Sequence, residues 1–244
     1  MRQSPSFPPS AQDMELASSA SGLDAGVRSR PQAERAIPRD AAVVLQVDGA
    51  VSGINGLAWL LARRDGSAAH RLETLQAQAV AEGWSQSELS RAALACLRPR
   101  RAEVNALGAA YRAALTPGVI DAAHRMRRAG TVVELSGEVA VEALLGVAEA
   151  LGVTPDAIHA PHLRFDALGA YTGCDAGERS ATIAHGYGPT DRPRRVFVGT
   201  GPAERLADVA SDVFVRFTGV VAHEGPARGA HVGSFGELAE LVIG

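Results

Sequence analysis

The first clear hydrophobic signal is the run Ala42-Val43-Val44-Leu45-Gln46-Val47, ended by Asp48-Gly49. A short apolar, β-branched run of this kind predicts a buried strand of a parallel sheet with a loop after it. Ile54 through Arg64 then predicts a helix. From about Gly66 to Ala114 the period stays helical, with no strand candidate. Leu72, Leu75 and Ala79 share one helical face; Leu89, Ala92, Ala93 and Leu97 share another, and Pro99 interrupts the stretch. After Thr116-Pro117-Gly118 helix and strand alternate again. Val119 to Arg128 predicts a helix stopped by Gly130, and Thr131-Val132-Val133-Glu134-Leu135 a strand ending at Ser136-Gly137. Val139 to Leu151 predicts a helix capped by Gly152, and Ala157 to Ala160 a short strand. Leu163-Arg164-Phe165 and Ala170-Tyr171-Thr172 flank Asp166-Ala167-Leu168-Gly169, which predicts a hairpin. Arg195-Val196-Phe197-Val198 predicts a strand, Leu206 to Ala210 a helix, Val213-Phe214-Val215 a strand, and Phe235 to Val242 a terminal helix.

Strands separated by helices imply an α/β fold with a parallel, Rossmann-like sheet and right-handed crossovers. Ligands in such sheets sit at the carboxyl ends of the strands. The informative residues are therefore Asp48, Ser136 and the loop from Gly199 to Glu204. Residues 1–40 are rich in breakers and poor in large apolar residues, as in Ser4-Pro5-Ser6-Phe7-Pro8-Pro9-Ser10. They read as a flexible extension or as a short docking arm. The expected organisation is this extension, a core over residues 41–64 and 115–244, and an inserted helical unit over residues 65–114.

The 244 residues, 46% hydrophobic and 21% charged, suffice for a sizeable core. A formal charge of −3 gives no electrostatic case for nucleic acid or an anionic membrane. No apolar run reaches the ~18–20 residues of a membrane span, and Met1-Arg2-Gln3 is not followed by the apolar stretch of a secretory signal. Two cysteines, Cys96 and Cys174, make no disulfide framework, which fits a reducing, cytoplasmic setting. The chain contains no lysine: all 24 basic residues are arginine, so any mechanism needing an amine side chain is excluded.

At the strand ends the sequence resembles the haloacid dehalogenase (HAD) superfamily, and within it the phosphoserine phosphatase-like group. The resemblance covers about residues 41–243. Its segments, in family order, are Leu115-Thr116-Pro117-Gly118, Leu135-Ser136-Gly137, Val153-Thr154-Pro155-Asp156-Ala157-Ile158-His159-Ala160, Leu163-Arg164-Phe165-Asp166, Gly169 to Gly173, Gly199 to Gly219, and the closing Val232 to Leu238. The resemblance implies a Rossmann-like HAD core and makes the inserted helical unit a cap.

The catalytic positions depart from the family pattern. The family uses Asp-x-Asp-x-Thr after the first strand, where the first Asp is nucleophile and Mg²⁺ ligand and the second is the acid/base. Here that segment reads Gln46-Val47-Asp48-Gly49-Ala50. A neutral amide cannot form the acyl-phosphate, whereas Asp48 stays at the acid/base position. The family's Gly-Asp-Gly-x-x-Asp reads Gly199-Thr200-Gly201-Pro202-Ala203-Glu204, with a neutral Thr200 at the metal-ligand position and Glu204 in place of the last Asp. Mg²⁺ is a hard ion held by carboxylates, phosphate and water, so its site is expected to be lost and no cofactor is expected. Arg179 is near the register of the family's phosphate-pairing lysine. Ser136 and Gly137, at the phosphoryl-binding positions, are retained, and Glu138 follows where the family has glycine. Asn55 falls in the segment that corresponds to the family's substrate-amine site, and Arg71 matches the cap arginine that pairs with the substrate carboxylate.

Each residue also has a plain reading. Asp48 could cap a turn, Ser136-Gly137 could be an ordinary helix N-cap, Arg179 could be a surface charge, and His159 and His162 read as structural. The expectation is a phosphoserine phosphatase-like protein without conventional phosphatase activity, a pseudoenzyme that binds a small anionic metabolite or a protein partner. A homodimer is left open; nucleic acid and membrane are not expected as partners. The alternatives are an enzyme with rebuilt chemistry, using Asp48 as general acid/base on an anionic substrate, and a weak phosphomonoesterase. The expected anion site lies between Asp48, Ser136-Gly137 and Gly199-Thr200-Gly201, with free backbone N–H groups from the helix after Ser136.

Overall fold

The computed structural model describes residues 41–175, 195–200, 213–220 and 230–244. The extension over residues 1–40 and the helix expected at Leu206 to Ala210 lie outside the described residues.

Among the described residues six strands form one parallel sheet: β1 (Ala42–Gln46), β2 (Val132–Ser136), β3 (Ile158–His159), β6 (Arg195–Gly199), β7 (Val213–Phe217) and β8 (Ala230–Val232), in the order β3-β2-β1-β6-β7-β8. A separate antiparallel hairpin joins β4 (His162–Phe165) to β5 (Tyr171–Asp175). β1 and β6 are buried on both faces, as expected of apolar runs at the centre of a parallel sheet. The chain steps outward from β1 through β2 to β3, returns to β6 on the other side of β1, and steps outward again to β7 and β8. The order therefore reverses between β1 and β6. In open α/β sheets the crevice outside that reversal is where ligands bind.

Four helices follow β1 before the sheet resumes: α1 (Gly56–Leu61), α2 (Gly66–Glu82), α3 (Gln86–Leu97) and α4 (Arg101–Ala113). The expected helix from Ile54 to Arg64 is shorter than its pattern. Asn55 caps its start by accepting from Ala58 N–H, and the last turn tightens through Arg63 N–H to Leu60 O and Arg64 N–H to Leu61 O. The long helical stretch breaks twice. Gly83 (φ 69°) and Arg98 (φ 46°), the latter followed by Pro99, both take the left-handed conformation that ends a helix. Ser85 and Glu88 then form a capping box that starts α3. The Arg64 guanidinium holds Glu103 through two hydrogen bonds of 2.5 and 2.8 Å, and its Nε donates to Leu97 O. One arginine thus joins the end of α1 to the end of α3 and the start of α4.

α5 (Val119–Arg128) precedes β2, α6 (Val141–Leu151) follows it, and α7 (Phe235–Ile243) closes the chain. α4 packs along α6. A side chain at Gly108 would meet the Ala143 carbonyl oxygen at 3.0 Å, so this glycine sets the close approach of the two helices. Val104, Leu107 and Tyr111 form the buried face of α4 at helical spacing. α6 begins two residues later than its pattern predicts: Gly137 to Ala140 form a connection, and Ala140 is the N-cap. Val139 and Ala140 are apolar because they are buried in this connection, not because they are helical.

Candidate functional site at the carboxyl edge of the sheet

β1 runs into a tight loop. Val51 N–H donates to Gln46 O and Ser52 N–H to Val47 O, two successive closures between residues five apart that make a wide turn, with Gly49 at φ 79° inside it. Thr116 Oγ1 donates to Ala50 O, and buried Ser52 Oγ donates to the Tyr111 carbonyl. This loop is thereby tied to the end of α4 and the start of α5. Its geometry places Gln46 and Asp48 at the mouth of the β1/β6 reversal.

Asp48 is 2% exposed and both its carboxylate oxygens accept hydrogen bonds. Oδ1 accepts from Gly56 N–H (2.8 Å) and from the Tyr111 hydroxyl (2.5 Å), and Oδ2 accepts from Glu138 N–H (2.9 Å). Burial raises its pKa above the ordinary carboxylate value, against the opposing pull of these donors. The Tyr111 hydroxyl is pushed well above its ordinary value, first by burial and then by the Asp48 charge. A side chain at Gly56 would fall 2.0 Å from Tyr111 Oη and 2.6 Å from Val139 Cγ2. Only glycine lets the backbone come close enough to donate to Asp48 there.

Gln46 is 8% exposed, and its Oε1 accepts from Thr200 N–H at 3.0 Å. The side chain bridges the ends of β1 and β6 by leaning over Gly199, where a Cβ would lie 2.3 Å from Oε1. Ser136 ends β2 directly beside Gln46. Its hydroxyl makes no hydrogen bond among the described residues.

The structure brings Gln46, Asp48, Ser136, Gly137, Gly199 and Thr200 to one edge of the sheet. It corrects the expectation of free N–H groups after Ser136. Gly137 N–H donates to His159 O and Glu138 N–H to Asp48, because α6 starts four residues farther on than the end of β2 allows for a cradle. Asn55 is exposed and serves as the N-cap of α1. Arg71 is exposed on α2, which packs on α3, and its charge acts on Asp65. Arg179, Gly201 and Glu204 lie outside the described residues.

Three features carry functional interest that the sequence reading did not single out. Tyr111 is one. Another is the buried cluster on β2, β3 and β6, in which Glu134 Oε2 accepts from Arg195 (2.6 Å) and pairs with His159 Nε2 (2.8 Å). Burial alone would raise the Glu134 pKa, but the His159 and Arg195 contacts outweigh it and leave it lowered. The third is Arg216 on β7. Among the described residues no group of three or more His, Cys, Asp or Glu is placed to hold a metal, and no helix is long and apolar enough to cross a membrane.

No family model and no curated protein matches the sequence. Solved structures do. A phosphoserine phosphohydrolase-like protein from Francisella tularensis shares the fold with a TM-score of 0.66 at 13% identity, over 83% of this chain and 99% of that one. Phosphoserine phosphatase from T. onnurineus matches with a TM-score of 0.58 at 13% identity, over 84% and 96%. A HAD family hydrolase from Salmonella enterica serovar Typhi matches with a TM-score of 0.60 at 11% identity, over 85% and 72%. The chain has the phosphoserine phosphatase-like fold of the HAD hydrolases.

Proposed function

We propose that the chain is a phosphoserine phosphatase-like protein that does not run Mg²⁺-dependent phosphate-ester hydrolysis and acts as a pseudoenzyme, binding a small anion or a protein partner at the carboxyl edge of its sheet. The hydrogen bond from Thr200 N–H to Gln46 Oε1 carries this reading. These two residues stand where the resemblance places the nucleophile and a metal carboxylate. Here a neutral amide oxygen is turned onto a backbone N–H between β1 and β6. An amide oxygen so engaged is neither a nucleophile for phosphorus nor a hard anionic ligand. Asp48, the described carboxylate in the Asp-x-Asp-x-Thr register, has both oxygens committed to donors. The donor set does not fit Mg²⁺, and no step is assigned to a metal.

One observation favours a second reading. Burial raises the Asp48 pKa, and a general acid must hold its proton near neutral pH. In that reading Tyr111 turns away and Asp48 protonates a leaving group of an anionic substrate.

Phosphate release from phosphoserine and p-nitrophenyl phosphate, with Mg²⁺ and with EDTA, tests the proposal. No EDTA-sensitive release is expected. Metal-dependent release would establish a weak phosphomonoesterase instead, and metal-independent turnover lost in Asp48→Asn but kept in Tyr111→Phe would support the Asp48 acid.

A further inference from the structure

The strand register lines up one residue from each strand across the carboxyl edge. Ser136 pairs with His159 and with Gln46, and Gly199 pairs with Arg216, which pairs with His231. Gln46 lies beside Gly199, because the preceding residues Leu45 and Val198 are partners. Laterally paired residues point to the same face of a sheet. One face of this edge therefore reads His159, Ser136, Gln46, Gly199, Arg216, His231.

Among the described residues three members of that row carry donors with no protein acceptor, and His159 Nδ1 is a further buried nitrogen of the row without a partner. Arg216 is half-buried near the end of β7, and its Nε is buried with no hydrogen-bond partner. No ion pair or hydrogen bond is made by its guanidinium among the described residues. Gln46 is more than nine-tenths buried, with its oxygen fixed by Thr200 N–H. That bond settles the amide orientation, since the reverse would set two N–H groups against each other. Among the described residues Gln46 Nε2 makes no hydrogen bond, and neither does Ser136 Oγ. Between Gln46 and Arg216 stands Gly199, which contributes no side chain of its own.

An arginine cannot discharge itself by losing its proton, and a covered guanidinium N–H without an acceptor is costly. Buried donors in native proteins have partners with few exceptions. Here the missing partner must be an acceptor, and the fixed charge makes it an anion. The row itself holds no carboxylate: the 46 and 200 positions are neutral, Asp48 is bonded to Tyr111, Gly56 N–H and Glu138 N–H, and Glu134, two residues before Ser136, is paired with Arg195 and His159. About three inter-strand spacings of ~4.8 Å separate Ser136 from Arg216. An extended arginine side chain and one small oxyanion cover that span.

We infer that Arg216, with Gln46 Nε2 and Ser136 Oγ, forms a binding site for the oxyanion group of a small ligand, a phosphate or a carboxylate. The inference rests on the reading of this edge as a binding site and names the residue that supplies its cation. No bond is made or broken there.

The test uses the full-length chain. Inorganic phosphate is titrated with protein and its ³¹P line width followed, at constant ionic strength. A second titration adds acetate as competitor. Wild type is expected to broaden the phosphate line saturably. Arg216→Gln should weaken binding at least tenfold, and Arg216→Lys should stay within a few-fold of wild type. Displacement by acetate would show that a carboxylate suffices; its failure would assign the site to phosphoryl groups. Unchanged affinity in Arg216→Gln overturns the inference and leaves the binding reading standing. If wild type binds neither anion, the anionic-ligand reading falls with it. Should Arg216→Gln not fold, Ser136→Ala decides: about tenfold weakening is expected, and unchanged affinity refutes the site.

Discussion

The Tyr111 hydroxyl donates to Asp48 Oδ1 at 2.5 Å, so a residue of the helical insert is locked onto the end of the central strand. Ser52 Oγ holds the Tyr111 carbonyl from the same loop. Tyr111 is thus gripped at both its backbone and its ring tip, and Asp48 is shut away behind it. In a hydrolase that used Asp48 on substrate, this oxygen would have to be reachable.

Tyr111→Phe keeps the ring and removes the donor. A buried hydrogen bond to a charged group contributes about 1.5–3 kcal/mol. Urea unfolding should show a loss in that range, as a lower midpoint with an unchanged slope. A loss below about 0.5 kcal/mol would mean that water replaces the hydroxyl at Asp48.

Gly56→Ala tests the same knot from the backbone side. The new methyl would sit 2.0 Å from Tyr111 Oη and 3.1 Å from Asp48 Oδ1, both fully packed. The backbone or the tyrosine must move, at a cost of roughly 1–3 kcal/mol for overpacking. A melting temperature equal to wild type would contradict the packing described here.

Much of the frame was legible in the sequence. β1 and β6 announced themselves because a central parallel strand needs an unbroken apolar run, ended at Asp48-Gly49 and at Gly199. The hairpin was legible from Asp166 to Gly169, where Asp166 Oδ1 accepts from Leu168 and Ala170 N–H. What periodicity cannot show is which chemistry a core position does. Tyr111 sits on the apolar face of α4 with Val104 and Leu107, so its pattern says only core. Its hydroxyl meets Asp48 across 63 residues of sequence. Glu134 and Arg216 did leave a signal: each is a charge inside an apolar strand, Val-Val-Glu-Leu and Val-Phe-Val-Arg-Phe. Such a charge needs a partner. Glu134 finds His159 and Arg195. Val139 and Ala140 continue the apolar pattern into a loop, so the pattern places the start of α6 two residues early.

Acid stability follows chiefly from two partly buried carboxylates. Glu134 and Glu103 have lowered pKa values in the fold, through His159 and Arg195 for the first and Arg64 for the second. A depressed carboxylate stabilises above its unfolded pKa, and that contribution is lost as pH falls through the folded value. Asp48 has the opposite sign: its raised pKa takes stability away as pH rises through the window between its unfolded and folded values. Denaturation followed from about pH 5 down to pH 3 should show a fall in stability that is shallower in Glu134→Gln. An identical slope in the variant would place the acid sensitivity elsewhere.

The central claim is that the Gln46–Thr200 contact stands where a metal-binding carboxylate pair would be, and the melting temperature of the chain against Mg²⁺ concentration tests it most directly. A ligand that binds only the folded state raises stability by RT ln(1 + [L]/Kd). Wild type should show no saturable rise with Mg²⁺. The double variant Gln46→Asp with Thr200→Asp should gain one, and each single variant should gain less than the pair. A saturable Mg²⁺-dependent rise in wild type, matching that of the double variant, would contradict the account.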